Sequence, residues 1–578
     1  MCGDVKKSWS RNWWLAVILV LGLYLLPLAW RPLMTPDETR YAEIPREMLT
    51  SGDWVVPYLG GLRYFEKPVM GYWLGAISEA VFSENNFAVR FPAAFTTLAA
   101  AMLLFLFLRR IKDRETAVVG TGIFLSCALV YFVGTFAVLD APTALFMTGA
   151  LLSFYLAAQA ARRRTALGWL AVMGICCGGA FLAKGFIALA VPAIVIAPFM
   201  IWERRWKDLL WMPWLPLLTA LLVVLPWAWL IHGRDHDFWR YFIVVEHWER
   251  FTQDNSSQHP APFWYFVPVI IGGMMPWTLL LPGILTKLKW RWPQDRFTRY
   301  AWCWVVFPFL FFSASSGKLG TYILPCFPAL AFLLALGVLN YLKQPDHRIF
   351  NRTCRWTAIV LLVVLIGVAG SQILASSGIT EEVLSRWFKN SADLDTALFR
   401  NGETGKFILL IAAVAGWCGG LLLAVKTTDY RKKLLWFGAG TALVLAAAHP
   451  VCPNLILERK APGAFLLRFA GQIRPDDLMV CYNNTFVPAS WYYKRNNIYM
   501  YHKGGELEYG LNKPEARGRL LSDEDFKRLI ADPKRKQRVV FLMQSKRFRD
   551  GVPPATVEVY EANRDRIMLM IYDPVGRP

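Results

Sequence analysis

The sequence predicts an α-helical polytopic membrane protein with about thirteen transmembrane helices and a C-terminal α/β domain outside the bilayer. Three observations lead there. The 578-residue chain is 55% hydrophobic and 18% charged, with a mean hydropathy of +0.34, whereas soluble chains carry about a quarter charged residues. Long uncharged runs recur up to residue 448, most of them close to the roughly 20 residues a bilayer helix needs. Past residue 450 the composition turns mixed polar, with short β-like runs. Disorder and fibrous repeats are excluded by 15% aromatic content and the absence of a short period.

The apolar runs, in order, are 13–30, 91–108, 116–139, 141–161, 165–183, 185–202, 209–231, 260–286, 300–317, 319–342, 356–380, 407–425 and 434–448. The first is read as a span and not a signal peptide, because it is long and no small-residue cleavage site precedes Arg31. An odd number of spans places the two termini on opposite sides. Alternate connections then separate by basic content. The N-terminal tail, 109–114, 162–164, 203–208, 287–299, 343–355 and 426–433 hold 26 of the 63 Lys and Arg in roughly 60 residues. The other set is 31–86, 135–139, the turn at Lys184, 233–259, the turn at Lys318 and 381–406. It is about twice as long and holds roughly half as many. The first set is therefore cytoplasmic, and the C-terminal segment lies outside. Much of the formal +21 charge reports orientation.

Trp13/Trp14, Trp202/Trp206, Trp211/Trp214 and Trp290/Trp292 fit interfacial belts. Most of the ten Cys fall inside spans and show no metal spacing. Cys452 and Cys481 share the outer compartment and are candidates to pair. The chain divides into 1–449, the transmembrane part with its outer loop 31–90 and juxtamembrane helices, and 450–578, the outer domain. Strands are expected at 478–482, 498–501, 539–543 and 567–572, with a helix near 523–530. That domain lacks a Gly-rich phosphate loop.

The outer loop carries the chemistry. Thr35-Pro36-Asp37-Glu38 has the form of a helix start, with Thr as N-cap, Pro first in the helix and Glu three after the cap. Asp37 then lies in the first turn, with Arg40 and Tyr41 a turn later on a neighbouring face. Asp140 and Lys184 each sit in a short connection between apolar runs, where a charge costs several kcal/mol unless paired or facing water. Glu66-Lys67 in YFEKP, Glu246-His247 and Arg250 in VVEHWERF, and Lys318 in SSGKLGTYILP fall on the same face. Acids and bases gathered at one interface point to a polar cavity for a phosphate-bearing lipid. Each alone also fits a helix-end ion pair.

Six ordered motifs, TPDETRYAEIPREM, GLRYFEKPVMGYW, VLDAP, FLAKGF, EHWERF and GKLGTYILP, closely resemble the bacterial lipid A 4-amino-4-deoxy-L-arabinose transferases. These are membrane glycosyltransferases of the GT-C class, to which the protein O-mannosyltransferases also belong. The resemblance implies transfer of the aminopentose from undecaprenyl phosphate to a lipid A phosphate at the periplasmic face of the bacterial inner membrane. The consequence is resistance to polymyxin and other cationic antimicrobial peptides. It implies a multi-pass monomer among membrane lipids, with a cytoplasmic N-terminus and a periplasmic C-terminal domain.

Carried onto this chain, Asp37, Asp140, Lys67 and Arg40 are the catalytic candidates. Lys67, Arg40 and Arg250 are candidates to stabilise the leaving phosphate. Lys184 and Lys318 are candidates to hold the acceptor phosphate or assist at the donor. Asp37 is a candidate to orient the acceptor or bind the sugar's ammonium, and Asp140 to pair with Arg40 or Lys67 or contact the sugar. Tyr41, Tyr64 and Tyr322 are candidates to line the sugar or phosphate site. Glu66 and His247 have the donor types for a divalent metal such as zinc; the alternative is a Glu–His hydrogen bond.

The nearest alternative is a GT-C enzyme with another polyprenyl-phosphate sugar or a protein hydroxyl acceptor. A flippase or transporter also needs charges within its spans, but the odd span count and the absence of a repeated half weigh against one. A nucleic-acid binder is excluded, because the basic residues line loops and not a folded soluble face.

Overall fold

The structure, a computed structural model, describes residues 13–249, 260–286, 295–376, 399, 402–544, 553–560 and 567–574. Arg250 therefore lies outside the described residues, as does the side chain of His247. Over its described residues, each of the thirteen apolar runs falls largely on a helix or a bent helix pair. Among the described residues, eight helices are long and apolar enough to span a membrane, or up to ten if two bent pairs count as one span each. The remaining three runs fall on helices that are not long or apolar enough to count, Trp14–Ala29, Ile187–Trp202 and Tyr430–Ala447, so the described residues give eight to ten spans where thirteen were expected.

The bent pairs differ from the straight spans expected. Arg114–Ser126 and Ala128–Thr135 meet at 63°, and Phe263–Gly273 and Trp277–Thr286 at 89°. Cys127 leaves helical conformation in the first. Pro276, without an N–H, follows Gly272-Gly273 in the second. The two breaks pack against each other: Ala128 N–H donates to the Met275 carbonyl at 3.1 Å, and the Trp277 indole to Ser126 Oγ at 2.8 Å. Each break thereby satisfies backbone or side-chain groups of the other, as irregular backbone at bilayer depth requires.

The two loop sets segregate. At one end, Arg296 and Arg299 pair with Glu203, Lys112 with Asp295, and Lys343 and Arg431 with Glu115, all within the basic set or, for Glu115, directly beside it. At the other end lie the segment 31–86, the turns at Lys184 and Lys318 and the C-terminal domain. Two short strands, β1 (Tyr58–Leu59) and β2 (Leu62–Arg63), form an antiparallel hairpin there. Its turn is Gly60-Gly61, with φ of +61° and +72°, the double left-handed step that a two-residue hairpin takes most easily with glycine. A Cβ on Gly61 would lie 2.2 Å from the Asn496 carbonyl oxygen. The hairpin is thus pressed into the C-terminal domain.

That domain is a six-stranded sheet of β3 (Leu478–Tyr482), β4 (Tyr499–Tyr501), β5 (Leu520–Leu521), β6 (Val539–Gln544), β7 (Val557–Tyr560) and β8 (Ile567–Tyr572), in the order β5-β4-β3-β6-β8-β7. The first four strands are mutually parallel, β8 runs antiparallel to β6, and the edge strand β7 runs antiparallel to β8. Helix Asp523–Ala531 begins with a capping box of Ser522 and Asp525. Cys481 is fully buried in β3, and both it and Cys452 are free thiols, so the pairing considered from sequence does not form.

Candidate active site

Helix Asp37–Ser51 organises the outer segment, but its start differs from the capping box expected. Thr35 Oγ1 donates to the Lys460 carbonyl at 3.1 Å and makes no cap. Glu38, fully buried, accepts from Arg31 at 2.5 and 3.1 Å, from Arg90 at 2.6 and 2.9 Å, and from the N–H groups of Met34 at 2.9 Å and Ala137 at 3.2 Å. Burial works against its charge, but Arg90 and Arg31 outweigh it and hold the carboxyl at about 2. Arg31 Nε also donates to His449 Nδ1 at 3.2 Å, and His449 Nε2 lies 2.9 Å from Thr135 Oγ1. The helix start is therefore anchored to three other chain segments.

One residue away the environment changes. The Asp37 side chain is 56% exposed and lies 3.5 Å from Arg40 Nη1. Arg40 itself is buried, with Nη2 2.5 Å from Glu506 of the outer domain. Its guanidinium stands 5.7 Å from the Tyr64 ring, and the Tyr64 hydroxyl donates to Glu506 at 3.3 Å. Arg40 Nε is buried with no hydrogen-bond partner. Lys67 Nζ donates to the Glu66 carbonyl at 2.8 Å and lies 3.7 Å from Glu246, which also accepts from Tyr241 at 3.3 Å. Glu246 belongs to a π-helix, Tyr241–Glu249, a rare form that recurs at functional sites. Glu66 and Glu246 are both buried.

Asp140 pairs with Lys184, and not with Arg40 or Lys67. Helices Asp140–Gln159 and Arg163–Lys184 form a hairpin, which sets its first and last residues side by side. Lys184 Nζ lies 4.6 Å from the Tyr322 ring. These residues line a small cavity with Thr143, Met147, Ile187, Phe312 and Pro325. Lys318, expected at a phosphate, donates to the Ala261 carbonyl at 2.7 Å and to the Ser315 carbonyl, and so ties down its own turn. Tyr41 lies within reach of the charges of both groups. Burial raises its hydroxyl pKa against the pull of Arg40, and the carboxylates Asp37, Asp140 and Glu66 add to the rise. The structure thus gathers Asp37, Arg40, Tyr41, Tyr64, Glu66, Lys67, Asp140, Lys184 and Tyr322 at one end of the helical body.

Two contributions had no sequence signal. Glu506 lies in GGELEYG, a polar segment with no recognisable pattern. Tyr509 stacks against Tyr241 at 4.4 Å and Phe65 at 5.1 Å, and its hydroxyl donates to Asp235 at 2.8 Å. Asp235 also holds Arg63 at 2.8 Å and Lys513 at 3.0 Å. The C-terminal sheet domain is therefore a wall of the candidate site. Among the described residues no three His, Cys, Asp or Glu side chains converge as metal ligands. Cations set beside carboxylates suit a ligand carrying both a phosphate and a positive group.

Comparison with known proteins agrees with this layout. A family profile described as dolichyl-phosphate-mannose-protein mannosyltransferase matches residues 9–242, and one described as arabinosyl transferase ArnT, C-terminal domain, matches residues 457–571. The crystal structure of ArnT from Cupriavidus metallidurans bound to undecaprenyl phosphate superposes with a TM-score of 0.80 at 23% identity, covering 98% of this chain and 99% of that one. The undecaprenyl phosphate-α-4-amino-4-deoxy-L-arabinose arabinosyl transferase of Edwardsiella ictaluri is 39% identical over 97% of this chain and 98% of its own length. Its counterpart in Shewanella sediminis is 36% identical over 97% and 99%. Identity at this level across nearly the whole length shows that the chain belongs to the undecaprenyl phosphate-aminoarabinose arabinosyl transferase family.

Proposed function

We propose that this chain transfers 4-amino-4-deoxy-L-arabinose from undecaprenyl phosphate to a phosphate of lipid A, at the periplasmic face of the bacterial inner membrane. The N-terminus is then cytoplasmic, the sheet domain periplasmic, and a single chain forms the complete site. Masking a lipid A phosphate with an amino sugar lowers the attraction for polymyxin and other cationic peptides. The observation that carries this reading is the pairing of Arg40 and Lys67 with carboxylates beneath the outer domain, in a chain of this family.

The reaction is a single displacement. An acceptor phosphate oxygen attacks the anomeric carbon, and the bond to the donor phosphate breaks with its electron pair passing to undecaprenyl phosphate. Negative charge grows on the leaving oxygen, so a preformed cation there lowers the barrier. Lys67 is suited to this: its ammonium is about a quarter exposed and is held by the Glu66 carbonyl and Glu246. Arg40 offers a buried N–H donor still without a partner. The acceptor phosphate is already ionised near neutral pH, so no strong base is required. Asp37, more than half exposed, is free to orient the acceptor or meet the sugar's ammonium. The Asp140–Lys184 pair and Tyr322 flank the adjoining cavity and contact the sugar or the second phosphate.

Glu66 and His247 are proposed to hold a divalent cation, with zinc suited to carboxylate and imidazole donors. Support comes from the Lys67–Glu246 contact, which brings the two segments together. Such an ion would add charge neutralisation beside the donor phosphate, and the steps above do not depend on it.

A second reading, transfer of another polyprenyl-linked sugar or transfer to a protein hydroxyl, is favoured by the mannosyltransferase profile over residues 9–242. Mass spectrometry of lipid A separates the two, in cells lacking their own transferase and expressing this chain. The proposed function expects a gain of one aminopentose. No gain, with the protein present in the membrane, would reject it.

A further inference from the structure

Asp235 ends the helix Trp214–Arg234, its N–H donating to the Ile231 carbonyl at 2.9 Å. Its carboxylate is buried and joins three chain segments. Arg63 of the hairpin donates to Oδ2 at 2.8 Å. The Tyr509 hydroxyl and Lys513, both of the C-terminal domain, donate to Oδ1 at 2.8 and 3.0 Å. The Asp237 N–H, in the loop of Asp235 itself, donates to Oδ1 at 3.1 Å. Burial works against the charge of Asp235, but Lys513, Tyr509 and Arg63 outweigh it and hold the carboxyl below the usual range. A carboxylate so enclosed and so well satisfied acts on its neighbours and not on a substrate.

Two routes lead from this carboxylate to Lys67. The first follows the chain. Arg63 and Phe65 precede Lys67 on the segment that leaves the hairpin, and Phe65 packs against Phe238 at 4.9 Å and Tyr509 at 5.1 Å. The second passes through the counter-ion of Lys67. The Tyr509 ring lies 4.4 Å from that of Tyr241, whose hydroxyl donates to Glu246 at 3.3 Å, and Glu246 lies 3.7 Å from Lys67. Tyr509 thus packs against the segment that carries Lys67 and against the residue that holds its carboxylate partner. The bond to Asp235 fixes Tyr509 between them. A cation that must meet a growing negative charge has to be held within a fraction of an ångström, and the layer of residues behind it supplies that precision.

We propose that Asp235 is a positioning residue for the transfer reaction, which acts through Tyr509 and Arg63 to set the place of the Lys67 ammonium. This deepens the function proposed above and rests on it. Asp235 touches neither donor nor acceptor. It binds the hairpin to the C-terminal domain at the point where both pack against the surroundings of Lys67.

The test is a double-mutant cycle with the purified full chain in liposomes. Lipid A is the acceptor, and undecaprenyl phosphate-linked 4-amino-4-deoxy-L-arabinose the donor. Asp235→Asn should lower kcat about tenfold or more, the cost of a slightly misplaced catalytic group, with a much smaller change in KM. Asp235→Glu should recover part of that loss. Tyr509→Phe, which keeps the ring contacts and drops the hydroxyl, should lower kcat in the same direction by less. Because Asp235 acts through Lys67, adding Asp235→Asn to Lys67→Ala should change the residual rate by no more than about twofold. Melting curves in detergent, measured in parallel, should show that Asp235→Asn and Tyr509→Phe are folded. An unchanged kcat in Asp235→Asn, a loss that multiplies in full onto that of Lys67→Ala, or loss of folded protein in both variants would overturn the assignment and leave the proposed function standing. A wild-type chain inactive on this donor would overturn the two together.

Discussion

Two carboxylates adjacent in sequence, Asp37 and Glu38, end in opposite environments. Glu38 is sealed from water and accepts from two arginines and two backbone N–H groups. Asp37 is more than half exposed, with one arginine 3.5 Å away. The same contrast separates their partners. Arg90 spends its donors on Glu38 and the carbonyls of Leu28, Arg31 and Pro32, whereas Arg40 keeps an N–H unmet. The lesson is that hydrogen-bond saturation distinguishes a charge that holds the fold from one kept for a ligand. A buried pair with every lone pair used has nothing left to offer.

Breaking the saturated cluster should have the largest effect. Glu38→Ala leaves Arg31 and Arg90 buried without a counter-charge, a loss on the order of 3–5 kcal/mol. Detergent-stable, monodisperse protein should disappear, and recovery of a wild-type melting curve would contradict the structural role. Disrupting the unsaturated cluster should instead spare the fold. Lys67→Ala is expected to lower lipid A modification by about a hundredfold or more at unchanged membrane abundance. Lys67→Arg should restore only part, because a planar guanidinium replaces a compact ammonium. Asp37→Asn should fall between the two. Normal modification in both Lys67→Ala and Asp37→Asn would place the site elsewhere.

Titration sharpens the contrast from a third carboxyl. Glu79, in helix Met70–Phe82, is buried with neither oxygen hydrogen-bonded. Burial, then the charge of Glu84, pushes it up to about 9. The signs are opposite. Glu38, lowered from 4.5 to about 2, contributes stability above its ordinary value that is lost as pH falls toward 2. Glu79 binds its proton more tightly when folded, so its effect is most favourable below 4.5 and declines as pH rises toward 9. Glu79→Gln should therefore melt with wild type near about pH 5 and above it near about pH 8, by on the order of 1 kcal/mol or more. Coincident curves at both pH values would show that the Glu79 carboxyl sheds its proton without penalty. The smallest effect expected is from chelation. Removing divalent ions should cut transfer several-fold, in line with loss of one polarising charge, and an unaffected rate would remove the ion from Glu66 and His247.

Much of this was legible in the chain, for reasons that differ by element. Runs such as 141–161 and 319–342 mark spans because bilayer thickness sets a length that composition alone reveals. The strands at 478–482 and 567–572 match β3 and β8 to the residue, since they are short apolar runs bounded by polar segments. The strand Leu520–Leu521 and the helix Asn483–Tyr493 carry no comparable pattern. The former exists only through pairing with β4, and the latter is buried by neighbours. In the site, Asp37, Arg40, Lys67, Asp140 and Lys184 were visible as charges where charges are costly. Their partners were not. Asp140 meets Lys184 because two helices fold back on each other, and Glu506 meets Arg40 across more than four hundred residues. Glu38 was read as a cap because its spacing fits one, and only the buried arginines redirect it.

The embedding of the Gly60-Gly61 hairpin in the sheet domain has a consequence for how the protein is made. Arg519 donates to the Gly60 carbonyl at 2.7 Å, and Arg63 reaches Glu515 at 2.6 Å. The hairpin is made near the start of synthesis and its binding partners near the end. Until the last span is inserted and the sheet has closed, Arg40 lacks Glu506, and the early loop waits half-made at the membrane surface. A chain terminated by a premature stop codon, even one with every span in place, is therefore expected to be inert and open to proteolysis at that loop.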